Sequence, residues 1–225
     1  MNIIKHYGAK FLFLKSLIKN DAPSIIEIGA HYGEDSLRLA HTFPQAQIHC
    51  FEPDPRNISI FKKHVSNPNI HLYETALSNE DGEAVFYLSY QPSSEVPPKY
   101  DWIDPSDYKE LQLNNSGASS LKKGYQHNLD SVATVPSLRF DTWHKDNPIK
   151  EIDFAWIDVQ GAEREVIEGM GEKIKTIKYI WMEYGEMFYD GAMSRDETVS
   201  LLASKGFDIV KNQHVSAEDL LFKQS

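Results

Sequence analysis

Three short apolar runs, at residues 24–29, 47–51 and 70–73, alternate with stretches of helical period at 35–42 and 55–65, and few folds admit that order. Apolar runs this short have the form of strands buried on both faces, and the helices between them bring successive strands in parallel. The βαβαβ series therefore predicts an α/β fold: a mostly parallel sheet with helices on both faces, whose ligands sit beyond the carboxyl ends of the strands. A further helix is expected at 10–18, where Phe11, Leu14 and Ile18 recur at helical spacing and Pro23 follows.

The alternation is interrupted and then resumes. Residues 83–88 and 131–136 alternate like strands, and between them 90–130 contains Pro92, Pro97, Pro98 and Pro105 with Ser, Asn and Gly throughout. An aperiodic stretch of that length is expected to be a lid or to be disordered, and the aromatics Tyr100, Trp102, Tyr108 and Tyr125 favour the lid. Strand 152–159, helix 162–170, strand 177–184, helix 195–204 and a terminal pair at 207–210 and 219–222 complete the pattern. One domain over 1–225 is expected: an N-terminal helix in 1–22, a cofactor-binding half in 23–90, an inserted substrate lid in 91–131 and the rest of the sheet in 132–225.

Charge and cysteine usage exclude some partners. The 225 residues include 23 Lys and Arg against 33 Asp and Glu, a net charge of −10, so the surface field repels phosphate backbones and nucleic acid is not expected. A single cysteine, Cys50, rules out an intramolecular disulfide framework and a Cys-based zinc site, and suits a reducing compartment, with the cytoplasm as the expected location. Cys50 is expected to be a buried strand residue with no catalytic part. The mixed stretch 3–18 carries Lys5, His6, Lys10 and Lys15, so no membrane span is expected, nor a signal peptide. The oligomeric state stays open.

Three motifs sit at predicted strand ends. In Glu27-Ile28-Gly29-Ala30-His31-Tyr32-Gly33, a glycine lets the backbone approach a ligand and the next helix N-terminus offers free amides. A dinucleotide fingerprint would need glycines at 31 and 34, where His31 and Glu34 stand, so an NAD(P)-type oxidoreductase is disfavoured. Glu27 suits a cationic amine, as in S-adenosylmethionine (SAM). The same glycines also fit a plain turn. In Phe51-Glu52-Pro53, the acid stands about 20 residues beyond Gly29, where a carboxylate can accept both hydroxyls of a ribose. A solvated strand-end Glu is the alternative. In Ile157-Asp158-Val159-Gln160-Gly161-Ala162-Glu163, a buried strand delivers Asp158 to its carboxyl end; core packing or helix capping would also place an acid there.

With Ala76-Leu77-Ser78-Asn79-Glu80-Asp81-Gly82, with Gly117-Ala118-Ser119-Ser120-Leu121, and with Val166, Ile167 and Gly169, these motifs make a chain that resembles the FkbM-type SAM-dependent methyltransferases over roughly residues 23–210. The resemblance implies a Rossmann-like class I methyltransferase fold with a seven-stranded sheet. It also implies acceptors that are mostly hydroxyl groups of sugars or polyketide-type natural products. On it, Glu27 and the loop Gly29, Ala30, His31, Tyr32 and Gly33 hold the amino-acid end of SAM, with Ser36 near the carboxylate. Glu52 with Pro53 binds the ribose; Ala76, Leu77, Ser78 and Asn79 lie against the adenine; Ser119 closes over the cofactor; and Asp158 stands near the methyl-bearing sulfur. His31 replaces the asparagine often seen after Gly-Ala and adds a titratable group near the methyl.

A hydroxyl is a poor nucleophile, so its proton needs a base in or near the transition state. Asp158 is the first candidate for that base, with Glu183 at the next strand end and His31 beside them. The two carboxylates and a histidine also suit Mg²⁺ or Mn²⁺, the less favoured reading. His127 and His144, in or beside the insertion, are weaker candidates for the base, more simply read as surface groups. The aromatics of the insertion either stack on a sugar ring or anchor the loop. Trp156 and Trp181 are expected in the core. The acceptor is expected to be a small molecule or glycan, and a non-catalytic SAM-fold binding protein is the alternative outside enzymes.

Overall fold

The computed structural model describes residues 9–92, 102–125, 131–184, 188–211 and 219–225. The first half of the chain forms α1 (Ala9–Leu17), β1 (Ser24–Ile28), α2 (Glu34–Thr42), β2 (Gln47–Phe51), α3 (Pro55–His64), β3 (Ile70–Tyr73), β4 (Ala76–Ser78), β5 (Gly82–Leu88) and α4 (Pro105–Glu110). The second half forms β6 (Ser131–Arg139), α5 (Phe140–Asp146), β7 (Phe154–Ile157), α6 (Glu163–Met170), β8 (Tyr179–Glu183), α7 (Arg195–Ser204), β9 (Phe207–Ile209) and β10 (Asp219–Gln224).

Seven strands make the main sheet in the order β3-β2-β1-β7-β8-β10-β9, all parallel except β10, which runs antiparallel to both neighbours. The direction of winding reverses between β1 and β7, and such a switch point opens a crevice beyond the strand ends. Register aligns those ends: Ile28 pairs with Phe51 on one side and Ile157 on the other, and Ile157 pairs with Met182. Gly29, Glu52, Asp158 and Glu183 therefore all follow one row of the sheet.

Strand side chains alternate between faces, so each face has its own core. Ile26, Ile28, Phe51, Ile157 and Met182 pack with Phe140 and Trp143 of α5 and with Val166, Ile167 and Met170 of α6. On the other face Ile25, Ile48, Cys50, Trp156 and Trp181 pack with Phe11 and Leu14 of α1 and Leu39 of α2. Trp156 and Trp181 stack with ring centroids 5.9 Å apart, and both are core residues as their strand positions imply. Local chemistry fixes the helix starts. Asp54 caps α3 by accepting from the Arg56 amide at 2.9 Å, with Pro55 in the first turn, and Ser194 with Glu197 forms a capping box on α7.

Residues 76–78, which no periodicity marks as a strand, form β4. It joins β5 and β6 in a separate three-stranded sheet, where Ala76 pairs in parallel with Ser137. This small sheet docks on α6 through Gly169, where a Cβ would come within 1.9 Å of the Ser78 carbonyl oxygen. The described part of the predicted insertion is not aperiodic. It contains α4, capped by Asp104, and a 3₁₀ turn at Ser116–Ala118, and Ile103, Tyr108 and Leu113 pack with Tyr32 and Ile60 in a satellite core. Trp102 lies edge-on to Tyr32 and Tyr108 is buried, so these two aromatics anchor the segment. Tyr125 is exposed; Tyr100 and His127 lie outside the described residues. No helix among the described residues is long and apolar enough to cross a membrane.

Candidate active site

The loop after β1 turns tightly. Gly29 sits at φ 89°, and a Cβ there would lie 1.8 Å from the backbone oxygen of Asp158, so only glycine lets β1 and β7 end side by side. The Gly29 and Ala30 amides both donate to the Phe51 carbonyl, at 2.9 and 3.0 Å. His31 follows in the left-handed region at φ 52°, and Gly33 at φ 85° opens α2.

Glu27 lies inside β1, facing Cys50 across the strand pair, and is only 3% exposed. Both described donors to its carboxylate, the Ser36 hydroxyl at 2.5 Å and the Cys50 thiol at 3.4 Å, fall on Oε2. Among the described residues nothing donates to Oε1. Burial pushes the Glu27 carboxyl up to about 8, only partly offset by the Ser36 hydrogen bond. Cys50, expected only to fill a strand, thus also touches a site carboxylate, and burial raises its thiol.

Glu52 is likewise buried. Its Oε2 accepts the His31 amide at 2.8 Å, and its Oε1 accepts the Asp54 amide at 2.8 Å and Asn57 Nδ2 at 3.3 Å. Burial, aided by the neighbouring Asp54 charge, raises it to about 7. Glu52 thereby ties the β1 loop to the start of α3. The His31 ring meets Glu34 on Nδ1 at 2.9 Å and Ser116 Oγ on Nε2 at 3.2 Å, and lies tilted against Tyr32 at 3.6 Å between centroids. Burial works to lower its pKa, but the charge and hydrogen bond of Glu34, with the charges of Glu52 and Asp54, together leave it above the usual value. The Tyr32 hydroxyl joins Ser116 Oγ at 2.6 Å and the Leu113 carbonyl at 3.0 Å. The insertion is therefore latched onto the loop between β1 and α2.

Asp158 and Glu183 stand at the ends of adjacent parallel strands. Gln160 Nε2 donates to Asp158 Oδ1 at 2.6 Å and to Glu183 Oε2 at 3.1 Å, while Gln160 Oε1 accepts the Tyr189 hydroxyl at 2.8 Å. Burial, then the Asp158 charge, raises Glu183 to about 8. Glu163 Oε1 accepts the Gly161 amide at 3.1 Å and the Val159 amide at 3.4 Å, holding the loop that presents Asp158, and burial raises it to about 7.

The remaining predicted residues fall into two groups. Ser119 Oγ accepts the Ser89 amide and Arg56 Nη2, each at 2.9 Å, and Arg56 also donates to the Ser89 and Gln112 carbonyls. Pro53 lies between Glu52 and the Asp54 cap. The second group lies against α6: Ser78 ends β4, and Asn79 donates to Glu168 at 2.9 Å. His144 is buried in α5 with Nε2 on the Ile149 carbonyl at 2.8 Å, among core residues rather than at the strand ends. Among the described residues no group of three or more His, Cys, Asp or Glu side chains is placed to hold a metal ion. Arg56, Ser116, Glu163 and Tyr189 were not singled out from sequence. For Arg56 a signal exists, since Asp54-Pro55 marks a helix start and puts the next residue over the Asp54 carboxylate.

A solved structure of a SAM dependent methyltransferase from Aquifex aeolicus superposes with a TM-score of 0.50 at 10% identity, over 96% of this chain and 90% of that one, a likeness of fold. The fold, with a family match over most of the chain, defines a SAM-dependent methyltransferase of the class I architecture. The family model described as Methyltransferase FkbM domain matches residues 27–209. The chain is 30% identical over 200 residues to 2-O-methyltransferase NoeI of Sinorhizobium fredii (strain NBRC 101917 / NGR234), spanning 87% of this chain and 76% of that protein. It is 24% identical over 211 residues to Methyltransferase sdnD of Sordaria araneosa, spanning 88% and 78%. The chain belongs to the FkbM methyltransferase family, and its cofactor is S-adenosylmethionine. This sets aside the oxidoreductase and the non-catalytic alternatives. The residues fit the cofactor: Glu27 Oε1 takes no described donor, and Glu27, Glu52, Asp158, Glu163 and Glu183 surround the strand ends with acid suited to a cationic ammonium and sulfonium.

Proposed function

We propose that the protein methylates a hydroxyl group of a sugar, glycan or glycosylated natural product. The observation that carries this reading is the Asp158–Glu183 pair, two carboxyls joined through one amide where the strands end. A relative named for 2-O-methyl transfer supports an oxygen acceptor. SAM supplies a methyl group on a positively charged sulfur. Glu27 is assigned to its ammonium group, the Gly29-to-Gly33 loop and Ser36 to its carboxylate end, and Glu52 to its ribose. Asp158 takes the acceptor proton as the oxygen forms its bond to the methyl carbon, and holding that oxygen in line is the larger part of the rate enhancement. With both ring nitrogens engaged, His31 is assigned to the latch rather than to proton transfer.

Mass spectrometry of methyl glycosides and glycans incubated with the protein and isotope-labelled SAM tests the reading. A labelled methyl ether is the expected product. A labelled amine, or methylated carbon, would overturn the hydroxyl acceptor.

A further inference from the structure

Tyr189 belongs to none of the motifs, yet its phenol is buried against the catalytic loop. It is 3% exposed, its hydroxyl lies 2.8 Å from Gln160 Oε1 and 3.1 Å from the Ala118 carbonyl, and its backbone partner is Gly124 of the insertion. The loop is shaped around it. Gln160 and Gly161 hold successive left-handed conformations at φ 55° and 96°, and a Cβ on Gly161 would meet the Tyr189 Cβ at 2.5 Å. A non-glycine residue in that region is held there by its surroundings.

The phenol has one proton and two acceptors, Gln160 Oε1 at 2.8 Å and the Ala118 carbonyl at 3.1 Å; given to the nearer, it leaves Nε2 facing Asp158 and Glu183, at 2.6 and 3.1 Å. A donor placed between two carboxyls favours their charged form and holds them at one separation. We infer that Gln160 and Tyr189 are positioning residues for methyl transfer: Tyr189 fixes the Gln160 amide, and the amide holds Asp158 and Glu183 together as one proton-accepting unit. The inference rests on the reading that the acceptor proton leaves at Asp158. When it does, the proton goes to the carboxyl pair, the acceptor oxygen gains the carbon bond, and the electron pair of the broken carbon–sulfur bond stays on sulfur.

Among the described residues, the further charges that raise the Glu183 carboxyl are acids. Asp219 stands opposite Glu183 across the β8–β10 pairing and lies 3.6 Å from Lys10, and Glu163 opens α6. Both acids push the Glu183 carboxyl up alongside Asp158. Among the described residues the Gln160 amide donates to both carboxyls, which favours their charged form.

Carboxyl ¹³C NMR titration of the free protein, paired with the pH profile of kcat, tests the clamp. Gln160→Leu removes the donor and keeps the bulk, so the pair should titrate about one pH unit higher and the acid limb of kcat should move up with it. Tyr189→Phe should shift both in the same direction by less, with binding of S-adenosylhomocysteine (SAH) unchanged. Unmoved titrations in both variants would overturn the clamp, even if activity fell. The basis fails separately: if Asp158→Asn keeps full turnover while Gln160→Leu shifts the titration, the clamp stands and proton transfer at Asp158 does not. Should Gln160→Leu fail to fold, Tyr189→Phe decides alone by the same titration.

Discussion

Glu27→Gln is expected to weaken SAM binding by about 10²-fold, roughly 3 kcal/mol, while making the cofactor-free protein more stable at pH 8. The two effects have one cause. Burial raises the carboxyl from 4.5 to about 8, so near neutral pH the folded protein holds a proton that the unfolded chain has released. The sign follows from linkage: with more protons bound in the folded state, stability falls as pH rises through the window from about 4.5 to 8. At pH 7 the cost from this one group is about 3 kcal/mol, and a neutral amide of the same shape avoids it. An ammonium group beside Glu27 reverses the balance by favouring the ionised form, so SAM binding below pH 8 releases a proton. Melting curves of wild type and variant at pH 5 and pH 8, and calorimetric SAM titrations in buffers of different ionisation enthalpy, measure both. A variant no more stable at pH 8, or one binding SAM with wild-type affinity, contradicts the assignment. Glu52, Glu163 and Glu183, raised to about 7, 7 and 8, slope stability the same way in the wild type.

Asp158→Asn should reduce kcat by about 10²–10⁴-fold, the range for loss of a general base, with SAM affinity kept within a few fold. The amide preserves shape and hydrogen bonding to Gln160 but cannot take the acceptor proton. Asp158 is held by its backbone as well as by Gln160, since its amide donates to the Ile28 carbonyl at 2.9 Å, so the substitution should leave the strand ends in place. Single-turnover methyl transfer beside SAH binding separates the outcomes. Equal losses in binding and turnover would move Asp158 from proton transfer to cofactor holding.

The strand-end acids were legible because each closes an apolar run that contains no other acid near its carboxyl end. Residues 47–51, 70–73 and 195–204 fold as the pattern predicts to the residue. Strand β4 was not legible: three residues ahead of a turn carry no period, and its parallel partner β6 lies some sixty positions further on. Helix α5 was missed for its shortness, its hydrophobic signal being little more than Phe140 and Trp143. In the insertion, proline and asparagine masked the period, although Asp104-Pro105 announces α4 as plainly as Asp54-Pro55 announces α3. The latch of His31, Tyr32 and Ser116, the Arg56 contacts and Tyr189 join residues far apart in sequence, and no spacing rule reaches across such distances.

Whether these strand ends hold SAM is measured by thermal shift with SAM, SAH and NADPH. At a ligand concentration of 100 Kd, mass action adds about 2.7 kcal/mol, which for a chain of this size raises Tm by roughly 5–10 °C. That saturable shift is expected with SAM and with SAH, and none with NADPH. No shift at millimolar SAM or SAH, or an equal one with NADPH, would contradict that expectation.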